Sequence, residues 1–128
     1  MTGWTPRIWT GLAAVSGLLA VAFGAFAAHG MSEPKPVEWL RTGSLYQMVH
    51  ALAVFGALAL HRAGAKAMGL AAALFLGGTL LFSGSLYAMA LGAPRVLGAV
   101  TPFGGLAFMI GWAVLADRAF RAPALDQA

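Results

Sequence analysis

Apolar residues fall in four long runs along this chain, separated by short connections that hold most of the charge. The first run, Ile8 to Ala28, contains no charged residue and has the length of ~20 residues that crosses a bilayer as a helix. The others run from about Thr42 to Leu60, Ala67 to Leu91 and Val96 to Ala116, the third long enough to span with some tilt. The pattern predicts an all-α protein: one membrane domain, an integral membrane bundle of four transmembrane helices. An export signal is the competing reading of the first run, because Ala25-Phe26-Ala27 resembles a cleavage site. The run is longer than the about 7–15 residues of a signal core and holds Gly11, Gly17 and Gly24, so an uncleaved helix is expected.

The connections refine the picture. Between His29 and Arg41 stand Glu33, Lys35 and Glu38, with Pro34 and Pro36 expected to prevent a continuous helix. From Pro36 the chain reads as a first helical turn, with Val37, Trp39 and Leu40 placed on the membrane surface. His61, Arg62 and Lys66 form a basic turn around Gly64, and Gly92 to Arg95 forms a second short turn. Pro102 falls in the first turns of the fourth helix, and the tail from Asp117 onward is polar and expected to fray. Four spans put Arg7, Arg62, Lys66, Arg118 and Arg121 on one side, against Lys35, Arg41 and Arg95 on the other. That excess predicts both termini in the cytoplasm, with Trp4, Trp9 and Trp112 as anchors at that interface.

Composition agrees. The chain is 60% hydrophobic and 9% charged, with a mean hydropathy of +0.80. Soluble domains carry about 25% charged residues, so this chain cannot coat itself with polar surface in water. A lipid bilayer is the expected surrounding. The absence of cysteine rules out disulfide, thiol and thiolate chemistry. The net charge of +4 is spread over short connections, which leaves no basic stripe for nucleic acid and suits anionic lipid headgroups.

Glycines recur seven apart in the spans, as Gly17/Gly24, Gly77/Gly84, Gly98/Gly105 and Gly104/Gly111. Each pair puts small residues on one helix face, where backbones can approach closely. Such faces serve a tight bundle within one chain or, as the sharper alternative, a homo-oligomer. Gly24-Ala25-Phe26 and Gly84-Ser85-Leu86 form a weak internal echo, too short to carry a transport reading.

Candidate chemistry gathers where topology brings the polar residues together. Tyr46, Gln47 and His50 lie three and four residues apart, which makes one polar stripe that should face the bundle interior. Ser83 and Tyr87 repeat the four-residue spacing on the third helix, and Thr101 and Ser85 are near. By the ~1.5 Å helical rise per residue these fall in one leaflet, with His29 at its rim. Ser16 and Thr79 lie near mid-span, where each can bond its own helix backbone. Three uses of this layer are open. It can tie helices together. It can bind a small ligand, lipid headgroup, metal or haem through His29 and His50, although no acidic residue lies inside a span to complete a typical metal site. Or Ser83 or Ser85 can be drawn as a nucleophile with His50 as base, although Gly-x-Ser-x-Gly is absent. The first is favoured, no cofactor or metal is expected, and enzymatic activity is not.

The pieces Gly24-Ala25-Phe26-Ala27-Ala28-His29, Tyr46-Gln47 with His50, Phe82-Ser83-Gly84-Ser85-Leu86-Tyr87, Thr101-Pro102-Phe103-Gly104-Gly105 and Gly111-Trp112 carry a resemblance. Together they make the chain similar to the YgdD-like small integral membrane proteins of bacteria, which have relatives in animals. Ala27 stands where that pattern has a second glycine. The resemblance implies a four-helix protein of the bacterial inner membrane and implies no activity, since the family is one of unknown function.

Overall fold

Proline opens three of the four long helices. Pro6 begins α1 (Pro6–His29), Pro34 begins α2 (Pro34–Arg62), and Pro102 is in the first turn of α4 (Thr101–Phe120). The first turn of a helix has no intrahelical partner for its N–H groups, so a residue lacking one costs nothing there. The remaining helix, α3 (Met68–Ala90), starts without proline or a side-chain cap, from Ala67 in the left-handed conformation. The computed structural model describes residues 5–127, so Trp4 lies outside the described residues.

All four helices are long and apolar enough to cross a membrane. Their limits correct the sequence reading in three places. Pro34 and Pro36 do not interrupt α2, because both stand in its first turn, and the first backbone bond runs from Val37 to Glu33. Leu40 is consequently part of the bundle and fully buried, not spread on the membrane surface. A short 3-10 turn, Arg95–Ala99, precedes α4. At the other end α4 continues through Asp117 to Phe120, where Arg121 Nε donates to Asp117 Oδ1 at 2.9 Å, and a further 3-10 turn spans Pro123–Gln127.

Neighbours in sequence are neighbours in space: α1 packs on α2, α2 on α3, and α3 on α4, with lesser contacts of α1 to α3 and α2 to α4. α2 and α3 are therefore central. Small residues set the approach. α1 buries Ala13, Ser16, Ala20 and Ala27, and a Cβ on its Gly24 would stand 2.9 Å from Ser44 Oγ of α2. Between α3 and α4 the approach is closer. A Cβ on Gly104 would meet the backbone nitrogen of Phe82 and lie 2.6 Å from Gly78 O, and one on Gly111 would lie 2.6 Å from the Phe75 ring. The Gly104/Gly111 face thus packs within the chain. Gly78, not Gly77, is its partner on α3, while Gly77 and Gly84 have open space around them.

Two apolar clusters form the core. One, around Val54, Ala57, Met68, Ala72 and Phe75, fills the end nearer the α2–α3 turn; the other joins Ala27, Leu40, Tyr87 and Ala90 at the opposite end. The outer faces present Leu18, Val21, Leu80, Phe103 and Met109, side chains that hydrocarbon accepts and water does not.

Candidate functional site

Between the two apolar clusters lies a layer of buried polar side chains: Ser16, Gln47, His50, Ser83 and Ser85. A polar group buried in so apolar a setting is costly unless it is bonded, and the layer answers this by bonding helix to helix. Gln47 sits at its centre. Its Nε2 donates to Ser16 Oγ of α1 at 3.1 Å, and its Oε1 accepts from the Tyr87 hydroxyl of α3 at 2.6 Å. One amide therefore ties three helices. Ser16 accepts this bond from another helix, whereas Thr79 bonds its own helix backbone, donating to Phe75 O at 2.8 Å.

Further ties run beside these. Ser44 Oγ donates to Ala20 O at 2.7 Å, joining α2 to α1, and Ser83 Oγ donates to Gly43 O at 2.7 Å, joining α3 to α2. Ser85 Oγ donates to Phe82 O at 2.9 Å, so the 2.6 Å contact with Thr101 Oγ1 is a bond that Thr101 donates, joining α4 to α3. Tyr87 also stacks on Phe23 of α1 with ring centroids 3.8 Å apart.

His50 faces α4. Its Nδ1 lies 2.7 Å from Tyr46 O, and a carbonyl only accepts, so Nδ1 carries the proton. Its Nε2 lies 3.0 Å from the Trp112 indole nitrogen, which only donates, so Nε2 presents its lone pair. The imidazole is thus a neutral ring with a fixed tautomer, and it stacks on Phe108 at 3.5 Å between centroids. Neither Ser83 nor Ser85 is its partner, which removes the serine–histidine arrangement drawn from the sequence.

The single polar stripe expected on α2 is split. Gln47 points to α1 and α3, whereas Tyr46 and His50 point to α4, since adjacent helical positions are about 100° apart. Tyr46 is not interior: it is 40% exposed and borders a groove of about 750 Å³ with His50, Phe82, Phe108 and Trp112. His29 is exposed in the last turn of α1 and joins none of the layer's hydrogen bonds. Among the described residues no three His, Asp or Glu side chains converge as metal ligands.

Trp112 is the residue that sequence reasoning misplaced. A fourth helix ending at Ala116 puts Trp112 at the interface as an anchor. The helix runs to Phe120, which draws Trp112 roughly 12 Å inward from its end. Ser44 was missed as well, and its serine-to-carbonyl bond leaves no signature in spacing.

Comparison with known proteins places the chain. The family described as "Protein of unknown function (DUF423)" matches residues 23–105. A UPF0382 membrane protein of Haemophilus influenzae is 45% identical over 117 residues, covering 89% of this chain and 94% of that protein. The UPF0382 inner membrane protein YgdD of Escherichia coli is 40% identical over 121 residues, covering 91% and 92%. The UPF0382 membrane protein YwdK of Bacillus subtilis is 40% identical over 114 residues, covering 85% and 93%. No solved structure matches the chain. A family match over most of the chain, with relatives this similar along nearly their full length, shows that the protein belongs to the DUF423 family of membrane proteins, whose function is not established.

Proposed function

We propose that the protein is a non-enzymatic, multi-pass component of the bacterial inner membrane, with both termini in the cytoplasm, and that it acts through lipid or protein neighbours. The observation that carries this reading is the closure of the polar layer on itself. Gln47, His50, Ser83, Ser85, Tyr87 and Thr101 are each bonded to another group of the bundle. A site that binds or transforms a ligand keeps some of its polar groups directed at the ligand's position. Here they are spent on holding helices together. That the Escherichia coli relative is an inner membrane protein supports the membrane assigned. Of the seven-spaced glycine pairs, Gly77/Gly84 alone has both members open, so contact between copies of the chain would use that face of α3.

The test is to titrate the purified protein with haem and with zinc, and to compare it with His50→Ala. No binding that depends on His50 is expected, while the variant should unfold at a lower temperature. Saturable haem or zinc binding lost in His50→Ala, with the fold retained, would overturn the reading.

A further inference from the structure

The end of the bundle away from the polar layer carries a second groove, of about 760 Å³, between the start of α1 and the α2–α3 turn. Trp9, Met68, Leu70 and Ala73 give it an apolar wall, and its polar members are His61 and Lys66. No carboxylate borders it. Arg62 and Lys66 are exposed and form no ion pair among the described residues, unlike Arg118 and Arg121, which share Asp117. Arg7 at the start of α1 lies at the same end and is likewise unpaired. The volume lies within the ~300–1,000 Å³ usual for small-molecule sites. The groove thus offers a cation at one side and apolar side chains at the other.

We propose that this groove seats an anionic phospholipid, with the headgroup phosphate against Lys66 and Arg62 and an acyl chain along Trp9, Leu70 and Ala73. The charge decides the class: Lys66 borders the groove, Arg62 follows its lining residue His61, no carboxylate is among the lining residues, and Asp117 at this end of α4 is held by Arg118 and Arg121, so the headgroup taken has net negative charge. The apolar wall decides the source, because a free anion gains nothing from the exposed Leu70, whereas an acyl chain does. The inference rests on the membrane reading above and names one neighbour for it.

The experiment uses the full chain purified in neutral detergent and titrated with phosphatidylglycerol or phosphatidylcholine, with bound lipid read by native mass spectrometry. Phosphatidylglycerol should bind in preference. Arg62→Ala/Lys66→Ala should weaken it roughly fivefold for each cation removed. Lys35→Ala/Arg41→Ala, at the opposite end, should leave it unchanged. Raising the salt should bring the unaltered protein's phosphatidylglycerol affinity down toward that for phosphatidylcholine, a reading that requires no variant to fold. Equal binding of the two lipids, or equal loss in both double variants, would overturn the proposal. So would displacement of the lipid by millimolar inorganic phosphate, since the ligand would then be a free anion. These outcomes leave the thermal stability conferred by His50 untouched, so failure here is distinct from failure of the polar-layer reading.

Discussion

A histidine bonded at both ring nitrogens has one tautomer open to it, and His50 is such a residue. Nitrogen NMR of the labelled protein should find it neutral, with the proton on Nδ1 and a lone pair on Nε2. Trp112→Phe keeps the aromatic surface but removes the donor to Nε2, so it should cost about 0.6–2 kcal/mol, while the proton stays on Nδ1, where the Tyr46 carbonyl still holds it. Gln47 offers a sharper measurement, because its two ends face different helices. Gln47→Ala takes the acceptor from the Tyr87 hydroxyl and the donor from Ser16, at a cost of about 1–3 kcal/mol for a buried group left unsatisfied. Tyr87→Phe removes the hydroxyl and leaves the bond from Gln47 to Ser16 in place. Unfolding both single variants and the double variant in mixed detergent micelles should show a coupling of roughly 0.6–2 kcal/mol. Independent effects would mean the 2.6 Å contact contributes nothing of its own.

Helix contacts are the scale at which sequence spacing succeeds in part and fails in part. The apolar runs were long enough to reveal all four helices, because nothing but a spanning helix accounts for that much uncharged sequence. Seven-residue glycine spacing identified Gly104 and Gly111 as a packing face but paired Gly77 with Gly84 on α3, where the packed residue is Gly78. Spacing shows which residues share a face; it does not show which face meets a neighbour. The same limit split the Tyr46, Gln47 and His50 stripe, and the prolines of α2 misled because their effect depends on position within the first turn. The distinction is testable. Gly104→Ala must push against the backbone of Phe82 and Gly78, neither of which can swing aside, so a loss on the order of 1–3 kcal/mol is expected. Gly84→Ala meets nothing within 4 Å and removes a poor helix former, so it should be neutral or stabilise by up to about 1 kcal/mol. Both are read from unfolding in micelles, and a larger loss at Gly84 would invert the packing described.

For the whole molecule the open question is which end faces the cytoplasm. The fold makes the question answerable with few sites, since the α1–α2 connection and the tail after α4 lie at opposite ends of the bundle. The folded pairings do not decide it. Lys35 and Arg95 flank the Trp39 ring at 5.9 and 5.5 Å, and Arg118 and Arg121 share Asp117, yet orientation is set while the connections are still threading the membrane. What counts then is the number of Lys and Arg residues in each short connection, and acidic neighbours offset them little. With no native cysteine to remove, Ser32→Cys and Asp126→Cys can be made singly, both at exposed positions. In intact spheroplasts an impermeant maleimide should label the first, and label the second only after lysis. The reverse pattern would place the termini outside. The charge argument makes a further demand: Arg62→Gln/Lys66→Gln leaves Arg7, Arg118 and Arg121 facing Lys35, Arg41 and Arg95, an even balance. Labelling of Ser32→Cys in spheroplasts should then fall to a fraction of the molecules. If labelling stays complete, the bundle is oriented by something other than its Lys and Arg distribution, and the aromatic residues at its two ends become the next determinants to vary.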